Sequence, residues 1–515
     1  MLSIHPIKSS QSASHYYQDQ DNYYLADKAL LQHATGWRGE GAKKLGLTGL
    51  VDGKQFEALL SGLLPDGRQV GMMKDGEIKH RPGFDLTCSA PKSVSILALI
   101  GGDPRLLDAH QRANNDAMDT IEQQTAQARI TRQGETSYES TKNLIIAQFP
   151  HTSSRELDPQ LHTHNVIHNI TQRQDGQWRA LASSSYVSDR NQGTLEQIYR
   201  DQHYYGLLYT SSLAKQVKTL GYKIRVVDQY GNFEIEGIDS SVIDYFSKRR
   251  QQILETLNAR GLTSAKAAEI ATLDSRKLKK AVDTGQLEQY WKEALKELDV
   301  DLSAVIDCSH SMLNKTETTQ IKPSEMMLCQ KAVVAVDEAI EHLAQYNVSL
   351  RHGDLVRQAL RFSSSGLNHD HIEQAIHKRV KEESVVGELG QYYTTKALIQ
   401  QERDTLAQAL SGKQTSFSLE TVNSNVSSSI LRHKDRLHIV DVKGFRHEID
   451  LVQSLVDQAE SNGLTSHVLH VGRSQTNILH RNVKRRADTV MQWLRNTFKP
   501  ELTQTVAGFS AHYAQ

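Results

Sequence analysis

The chain has only three cysteines in 515 residues, which limits what cysteine can do in it. Cys88, Cys308 and Cys329 are odd in number and far apart, so the sequence indicates neither a disulfide framework nor a cysteine zinc site. The opening residues, Met1 to Pro6, lack the charged-then-apolar layout of a secretory signal, and no apolar run is long enough to span a bilayer. These absences leave the expectation of a soluble protein in the reducing cytoplasm.

The formal net charge is zero, because 60 Lys and Arg residues balance 60 Asp and Glu residues. This balance does not announce nucleic-acid binding, and it does not exclude it, since a local basic groove is sufficient. The phosphate loop of ATPases does not occur: Gly53-Lys54 and Gly412-Lys413 are each followed by glutamine and lack the leading glycine. We therefore expect no ATPase or helicase activity from this chain.

Three histidines are the most informative residues that the sequence does contain. His162 and His164 are two apart in a segment that reads as a strand, which places both imidazoles on one face. Residues 142–149 read as a preceding strand and Thr152 to Pro159 as the connection, and a hairpin of this kind would bring His151 beside the pair. Three neutral imidazoles can form a metal site with positions open for substrate. The alternative is surface histidines in a chain that has 23, and spacing alone does not decide.

Two tyrosine pairs near the N-terminus, Tyr16-Tyr17 and Tyr23-Tyr24, lie seven residues apart, which is two helical turns. Their neighbours are mostly Gln, Asp and Asn, so the rings do not form an obvious core stripe. A phenol can attack phosphorus or stack on a base, and either use needs an open cleft nearby. The alternative is an amphipathic helix that packs the rings and leaves their hydroxyls in water.

The segment from Arg81 to Ser95 adds a carboxylate and two cations. Asp85 lies in a predicted strand and is the carboxylate best placed to orient a ligand or accept a proton, with an exposed strand aspartate as the equal alternative. A helix is expected to begin beside Lys92, where the first-turn amides and a cation can both address a phosphate. Lys92 and Arg81 are therefore the candidate DNA-binding residues.

Together these residues indicate one chemistry. A divalent cation on His151, His162 and His164 would bind the non-bridging oxygens of a phosphodiester and offset the charge that develops at phosphorus. The Tyr16 phenolate would attack in line, forming a phosphotyrosine and releasing a 3′-hydroxyl. Because the covalent link conserves the energy of the cut bond, a free 3′-hydroxyl could later reseal the strand without ATP.

The chain divides by pattern into several parts. Helices and antiparallel strands are mixed up to about residue 305, which predicts an α+β domain. The rest reads as a linker, a mainly helical region, a Ser-rich loop and the start of a parallel α/β unit, at residues 306–330, 331–412, 413–429 and 430–515. Helical patterns are expected from Asp103 to Ile130, from His369 to Lys381, from Tyr392 onward, and over residues 482–497.

Residues 1 to about 305 resemble the relaxase domain of MobF-class conjugative relaxases, the TraI and TrwC group of the HUH endonuclease superfamily. The resemblance rests on the two tyrosine pairs, on the segment Arg81 to Ser95, and on Asp158-Pro159-Gln160-Leu161-His162-Thr163-His164. It implies a central antiparallel sheet flanked by helices, with a deep cleft for single-stranded origin-of-transfer DNA.

The same resemblance implies roles for individual residues. It makes Tyr16 the nucleophile, with Tyr17 beside it, and assigns the second strand transfer to Tyr23 or Tyr24. It makes the three histidines ligands of Mg²⁺ or Mn²⁺, and gives Asp85 the task of orienting one of them or of helping to activate the tyrosine.

Residues from about 330 onward resemble, less closely, the ATPase-dead RecD-like module that follows the relaxase domain in this family. Val440 to His447 stands where a phosphate loop would be and departs from it. The active helicase of full-length members is absent, so we expect unwinding to come from elsewhere or the chain to be a fragment.

The function implied is a metal-dependent, strand-specific nickase and strand transferase that starts plasmid conjugation. The resemblance places it in the cytoplasm of a donor bacterium, moving with the DNA to the recipient, with relaxosome accessory proteins, a type IV coupling protein and a type IV secretion system as partners. An HUH replication initiator or transposase would share the chemistry but have a working helicase or a smaller catalytic domain. A catalytically silent DNA-binding regulator would not need the intact Tyr, His and Asp positions.

Overall fold

The computed structural model describes residues 2–7, 36–74, 77–132, 135–154, 156–183, 193–228, 231–248, 251, 284–316, 325–345, 347, 349–362, 367, 369–387, 390–411, 453–454, 457, 468–470 and 487–489. The strands in this part of the chain are β1 Leu2–Ile7, β2 Gly36–Arg38, β3 Met72–Lys74, β4 Glu77–Lys79, β5 Gly83–Ser89, β6 Gln127–Arg132, β7 Glu135–Ser140, β8 Ile146–Ser153, β9 Pro159–His168, β10 Thr171–Gln172, β11 Trp178–Arg179, β12 Ile224–Val226, β13 Phe233–Ile235, β14 Leu350–Arg351, β15 Val385–Gly387, β16 Tyr392–Thr395, β17 Val468–His470 and β18 Ala487–Thr489. The helices are α1 Glu40–Lys44, α2 Gly53–Leu60, α3 Lys92–Leu99, α4 Pro104–Thr125, α5 Thr194–Arg200, α6 Gln202–Thr219, α7 Ser240–Tyr245, α8 Thr284–Glu297, α9 Leu302–Thr316, α10 Glu325–Ala344, α11 His352–Phe362, α12 His369–Lys381 and α13 Lys396–Ser411.

A five-stranded sheet with the order β1-β5-β9-β8-β2 organises the first part of the chain. Every neighbouring pair in it is antiparallel. The central strand β9 pairs His164 with Thr87 of β5 on one side and with Phe149 of β8 on the other. The predicted α+β class, with helices flanking an antiparallel sheet, is therefore confirmed.

Gly83 allows β5 to begin close against β9. Its φ of 144° lies in the region that favours glycine, and a Cβ at this position would meet the carbonyl oxygen of Ile167 at 2.1 Å. Any larger residue would push the two strands apart. The register that follows places Asp85, two residues further on, opposite Val166.

One face of the sheet packs on helices. Helices α3 and α4 pack on β9, and α6 packs on both β1 and α4. The apolar stripe of α4 is fully buried at Leu106, Ala113 and Ile121, which fits a helix with one apolar face. Burying each large aliphatic side chain in this layer contributes about 1.5–3 kcal/mol.

The other face of the sheet is covered by α2. Phe56 and Leu60 of this helix form a buried cluster with Ala147, Phe149 and Val166 of β8 and β9. The Phe56 and Phe149 rings meet edge to face at a centroid distance of 5.3 Å. This apolar cluster lies on the same face of β8 and β9 as the three histidines, next to them along the strands.

Helix α4 ends earlier than the sequence pattern suggested. Asp103 caps its start by accepting from the Arg105 amide, and Pro104 fills the first helical position. The helix was expected to continue to Ile130, but it stops at Thr125, and Gln127 begins strand β6. Pairing of β6 with β7 outweighs the helical pattern of these last residues.

The boundary predicted at residue 305 differs from the structure. The first of two compact units holds residues 1–341, 351–382 and 388–392. Residues 306–316, expected to begin a linker, lie in helix α9, where Ser309 is buried and accepts a hydrogen bond from Arg105 Nη2 at 3.0 Å. This long-range packing stabilises as helix a segment whose polar composition indicates a linker; residues 317–324 lie outside the described part.

Helices α11 and α12 also belong to the first unit. Gly353 lies against the Tyr204 ring of α6, and His352 and His369 both place Nε2 near Glu373 Oε1, at 2.8 and 3.0 Å. Hydrogen bonding to the two histidines lowers the pKa of Glu373 to about 2, against an opposing effect of its burial. The helix predicted at residues 369–381 matches α12 in both bounds.

The second unit holds residues 342–350, 383–387 and 393–515. Tyr393 to Thr395 pair with β15 as a strand, whereas the sequence predicted a helix from Tyr392. Farther on, β17 and β18 pair in parallel, so residues 487–489 form a strand where a helix was predicted. Residues 412–452, which include the segment around Val440, lie outside the described residues, and the RecD-like likeness stays a prediction.

None of the described helices is both long enough and apolar enough to cross a bilayer.

Candidate metal centre

Strands β8 and β9 bring three imidazoles together. His151 pairs with His162 across the two strands, and His164 lies two positions along β9 on the same face. The ring centroids are 4.7 to 5.2 Å apart, and one nitrogen from each ring lies within 4.8 Å of the others. This group is the one cluster of metal-ligating side chains found among the described residues.

His151 lies within strand β8, two residues past the strand end predicted at residue 149. Strand β8 runs from Ile146 to Ser153, so it continues past Pro150. The ladder shifts register between His151 and Ser153, which is a bulge. His151 is only 3% exposed, whereas His162 and His164 are partly exposed, so the cluster opens to solvent on the β9 side.

Two acceptors fix the tautomers of the β9 histidines. Asp85 Oδ2 lies 2.7 Å from His164 Nδ1, and the Gln160 carbonyl oxygen lies 2.9 Å from His162 Nδ1. A carboxylate and a carbonyl can only accept, so each Nδ1 carries the proton and donates it. Each Nε2 then carries its lone pair and can serve as the ligand atom, which is the arrangement typical of metal-binding histidines.

Thr87 completes the surroundings of His164. Its Oγ1 lies 3.0 Å from His164 Nδ1 and 3.4 Å from Asp85 Oδ1. The hydroxyl and the carboxylate thus hold the same ring edge. Thr87 was part of the Arg81 to Ser95 segment but was not singled out; its position opposite His164 in the register is the signal that identifies it.

Lys92 and Arg81 occupy different surroundings. Lys92 Nζ donates to the Pro159 carbonyl oxygen at 2.9 Å, and the amide of Ser93 in the first turn of α3 donates to Glu234 Oε2 at 2.8 Å. Burial lowers the pKa of Lys92 to about 8, with Asp158 and Glu234 opposing this effect. Arg81 is exposed just before β5. Groups of the protein therefore already bond the Lys92 ammonium and the Ser93 amide, which the sequence predicted would bind a phosphate.

The tyrosines predicted to act on phosphorus, Tyr16, Tyr17, Tyr23 and Tyr24, lie outside the described residues. The structure therefore brings together the histidines and Asp85 among the predicted site residues.

Comparison with protein families matches residues 10–298, more than half of the chain, to the TrwC relaxase family. Among curated proteins, the chain is 38% identical over 361 residues to the multifunctional conjugation protein TraI of Escherichia coli strain K12. That match covers 70% of this chain and 20% of TraI, so the chain spans about a fifth of the length of this relative.

Solved structures similar to this chain include complexes of the conjugative relaxase TrwC with oriT DNA. A metal-bound complex is 39% identical with a TM-score of 0.51, and a copper-bound complex is 40% identical with a TM-score of 0.52. Each match covers 59% of this chain and 100% of the solved chain. The range matched to the TrwC relaxase family, residues 10–298, includes the three histidines.

Proposed function

The chain belongs to the TrwC relaxase family, and on that premise we propose that it is a conjugative DNA relaxase. It cuts one specific strand of the origin of transfer, which it binds in single-stranded form, and later rejoins the cut ends. The observation that carries the proposal is the convergence of His151, His162 and His164 with Asp85 on the ring edge of His164. The related TrwC chains were solved with oriT DNA, which supports this substrate class.

The cofactor is a divalent metal ion, and the histidine cluster fits it. Two Nδ1 atoms are held by acceptors, so the Nε2 lone pairs of neutral imidazoles form the donor set. Mg²⁺ and Mn²⁺ are both candidates, and Mn²⁺ serves as the experimental probe because it is paramagnetic. When bound, the ion supplies Lewis-acid stabilisation of charge on the phosphate oxygens.

The nucleophile in this proposal is Tyr16. Its phenolic oxygen attacks phosphorus, forming a P–O bond to the tyrosine as the bond from phosphorus to the 3′ oxygen breaks. The products are a 5′-phosphotyrosine and a free 3′-hydroxyl, and the reverse attack by a 3′-hydroxyl reseals the strand. Asp85 orients His164, Tyr23 or Tyr24 serves the second transfer, and the exposed Arg81 contacts DNA. Lys92 is not assigned to DNA, because its Nζ donates to the Pro159 carbonyl oxygen.

The covalent mechanism is tested with an oligonucleotide of the cognate origin and Mn²⁺. A 3′-labelled substrate should shift with the protein in a denaturing gel, because the protein stays on the 5′ phosphate of the downstream fragment. A 5′-labelled substrate should give a free fragment that ends in a 3′-hydroxyl. Cleavage without any protein-linked fragment would show hydrolysis and refute the proposal.

The nucleophile is tested with a matched pair of variants. Tyr16→Phe should abolish the first cleavage while DNA binding persists, and Tyr17→Phe is the control that keeps it. The reverse pattern would show that Tyr17 is the nucleophile. The double variant His162→Ala and His164→Ala should lose its response to Mn²⁺; an unchanged response would contradict the ligand assignment.

The wider setting follows from the same proposal. We place the protein in the bacterial cytoplasm, as a partner of relaxosome accessory proteins, a coupling protein and a type IV secretion system. Residues 1–305 carry the nicking chemistry, and residues 430–515 are a helicase-like module without a phosphate loop.

A further inference from the structure

The face of β9 that points away from the histidines carries two polar residues deep in the core. Thr163 and Asn165 flank His164 in the sequence, and both are fully buried. Strand alternation turns them toward the helices, where apolar side chains are the usual choice. Burying such groups is unfavourable unless each finds a hydrogen-bond partner.

Asn165 joins the three strands that carry the candidate metal centre. Its Nδ2 donates to the Leu86 carbonyl oxygen of β5 at 3.0 Å, beside Asp85 in the sequence. Its Oδ1 accepts from Gln148 Nε2 of β8 at 2.9 Å, three residues before His151. Asn114 of α4 pairs with it in both directions, at 2.8 and 3.0 Å.

Thr163 is held by a second buried group on the same helix. His110 Nε2 lies 2.9 Å from Thr163 Oγ1, and His110 Nδ1 lies 2.7 Å from the Tyr209 hydroxyl of α6. His110 and Asn114 are one helical turn apart on α4, so they form a polar pair on one face of that helix. The positions between His162 and His164, and just after His164, are thus both tied to α4.

These bonds specify a register that apolar packing would not. A slip of one residue would turn both β9 histidines into the core and the anchoring residues toward solvent. An apolar pair could pack in more than one strand register. The hydrogen bonds of a buried amide network can all be made in only one register, and leaving them unmade in a region of low dielectric is costly. The register shifts between His151 and Ser153, next to the histidines, and the side-chain bonds of Thr163 and Asn165 lie in the regular part of the ladder beside that shift.

We propose that Thr163 and Asn165, with their partners His110, Asn114 and Gln148, are positioning residues of the three-histidine cluster. They hold β5, β8 and β9 at the offset that aims the imidazoles and Asp85 at one point. This role rests on the proposed metal-dependent function, yet none of the five residues contacts the metal or DNA in it.

The test measures Mn²⁺ affinity of the full chain without DNA, by electron paramagnetic resonance, together with thermal unfolding. Thr163→Val removes the hydroxyl and orphans His110, so it should weaken both Mn²⁺ binding and stability. The affinity loss should be about tenfold, the lower end for residues that orient metal ligands. The control is Thr125→Val on α4, which removes an equally buried hydroxyl that bonds only the Ile121 carbonyl of its own helix.

A triple variant separates positioning from stability. Tyr209→Phe, His110→Leu and Thr163→Val together replace the whole chain of polar partners with apolar groups, so no buried group is orphaned. We expect it to unfold close to the wild-type temperature and still bind Mn²⁺ about tenfold more weakly. Asn114→Leu, which lies on no strand of the site, should also weaken Mn²⁺ binding.

The outcomes are distinct. If Mn²⁺ affinity returns with stability in the triple variant, the network only stabilises the fold and the inference is overturned. A loss of affinity in Thr125→Val equal to that in Thr163→Val would overturn it as well. Failure of the proposed function has a different signature, namely a wild-type chain that binds Mn²⁺ but forms no covalent DNA adduct.

Discussion

Asp85→Asn is the substitution that isolates the electrostatic part of the candidate metal centre. The carboxylate accepts from His164 Nδ1 at 2.7 Å, and the two side chains are only 9% and 12% exposed. Asparagine has nearly the same shape and keeps an oxygen that can accept. The change therefore removes one negative charge and leaves the packing and the ring orientation largely in place.

The magnitude follows from these contacts. A hydrogen bond to a charged group contributes about 1.5–3 kcal/mol and is roughly twice as strong as a neutral one. The bond that orients the His164 ring should therefore weaken by about 1 kcal/mol. Removing the charge also makes the His164 Nε2 a weaker electron-pair donor to a metal ion, and it reduces the electrostatic attraction of the site for a cation. Together these effects should weaken Mn²⁺ binding by about 10- to 100-fold, the range seen when partners of ligating histidines are removed.

Mn²⁺ titration of the purified chain, read by calorimetry, measures this change. Asp103→Asn is the matched control, because Asp103 is also buried and bound by Arg105 and Tyr222, at 2.6 Å from each, but belongs to the start of α4. It should lower thermal stability and leave Mn²⁺ affinity unchanged. If Asp85→Asn binds Mn²⁺ as tightly as the wild type, Asp85 does not tune His164 and the reasoning fails.

Two further predictions concern stability. Burial lowers the pKa of His110 to about 3 from 6.5, so the unfolded chain binds the proton first, and the free energy of unfolding should fall by roughly 4 kcal/mol as pH drops through this window. Denaturant unfolding at about pH 7, 5 and 4 should show a smaller fall in the triple variant that lacks His110; an equal fall would contradict the assignment. A fragment that ends at residue 300 should unfold at least about 2 °C below one that ends at residue 411, because it loses the Arg105–Ser309 bond and the packing of Gly353 on Tyr204; equal melting temperatures by differential scanning fluorimetry would argue against one unit.

Local patterns in the sequence account for much of the fold around the histidines. Alternation predicted the shared face of His162 and His164, and the buried strand at Asp85 appears as β5. Pro150 misled the prediction, since a proline inside a run argues against a strand. Among the described strands, β2 pairs with residues 146–148, so Pro150 lies beyond its end. On that stretch β8 has β9 as its one described neighbour, and a proline is tolerated there.

Contacts between distant residues explain what local patterns did not show. Thr87 meets His164 across 77 positions and Asn114 meets Asn165 across 51, and no spacing within a single strand or helix encodes either pair. The segment after residue 305 is similar, because Ser309 becomes part of a helix through Arg105, which lies 204 positions away. Composition reports the polarity of such residues but not the partner that satisfies them.

The two faces of β9 have different roles at the candidate metal centre. One face carries the candidate ligands, and the other carries the residues that bond to α4. His162 and His164 point to the open side, while Thr163 and Asn165 point to α4 and are bonded there. A strand offers this division because its side chains alternate, so His162 and His164 each have an anchoring residue one position away. Asp85 and Leu86 repeat the arrangement on β5, with the carboxylate on His164 and the neighbouring carbonyl on Asn165. We therefore expect a substitution of Thr163 or Asn165 to move His162 and His164, so that the geometry of the histidine cluster depends on the core beneath it.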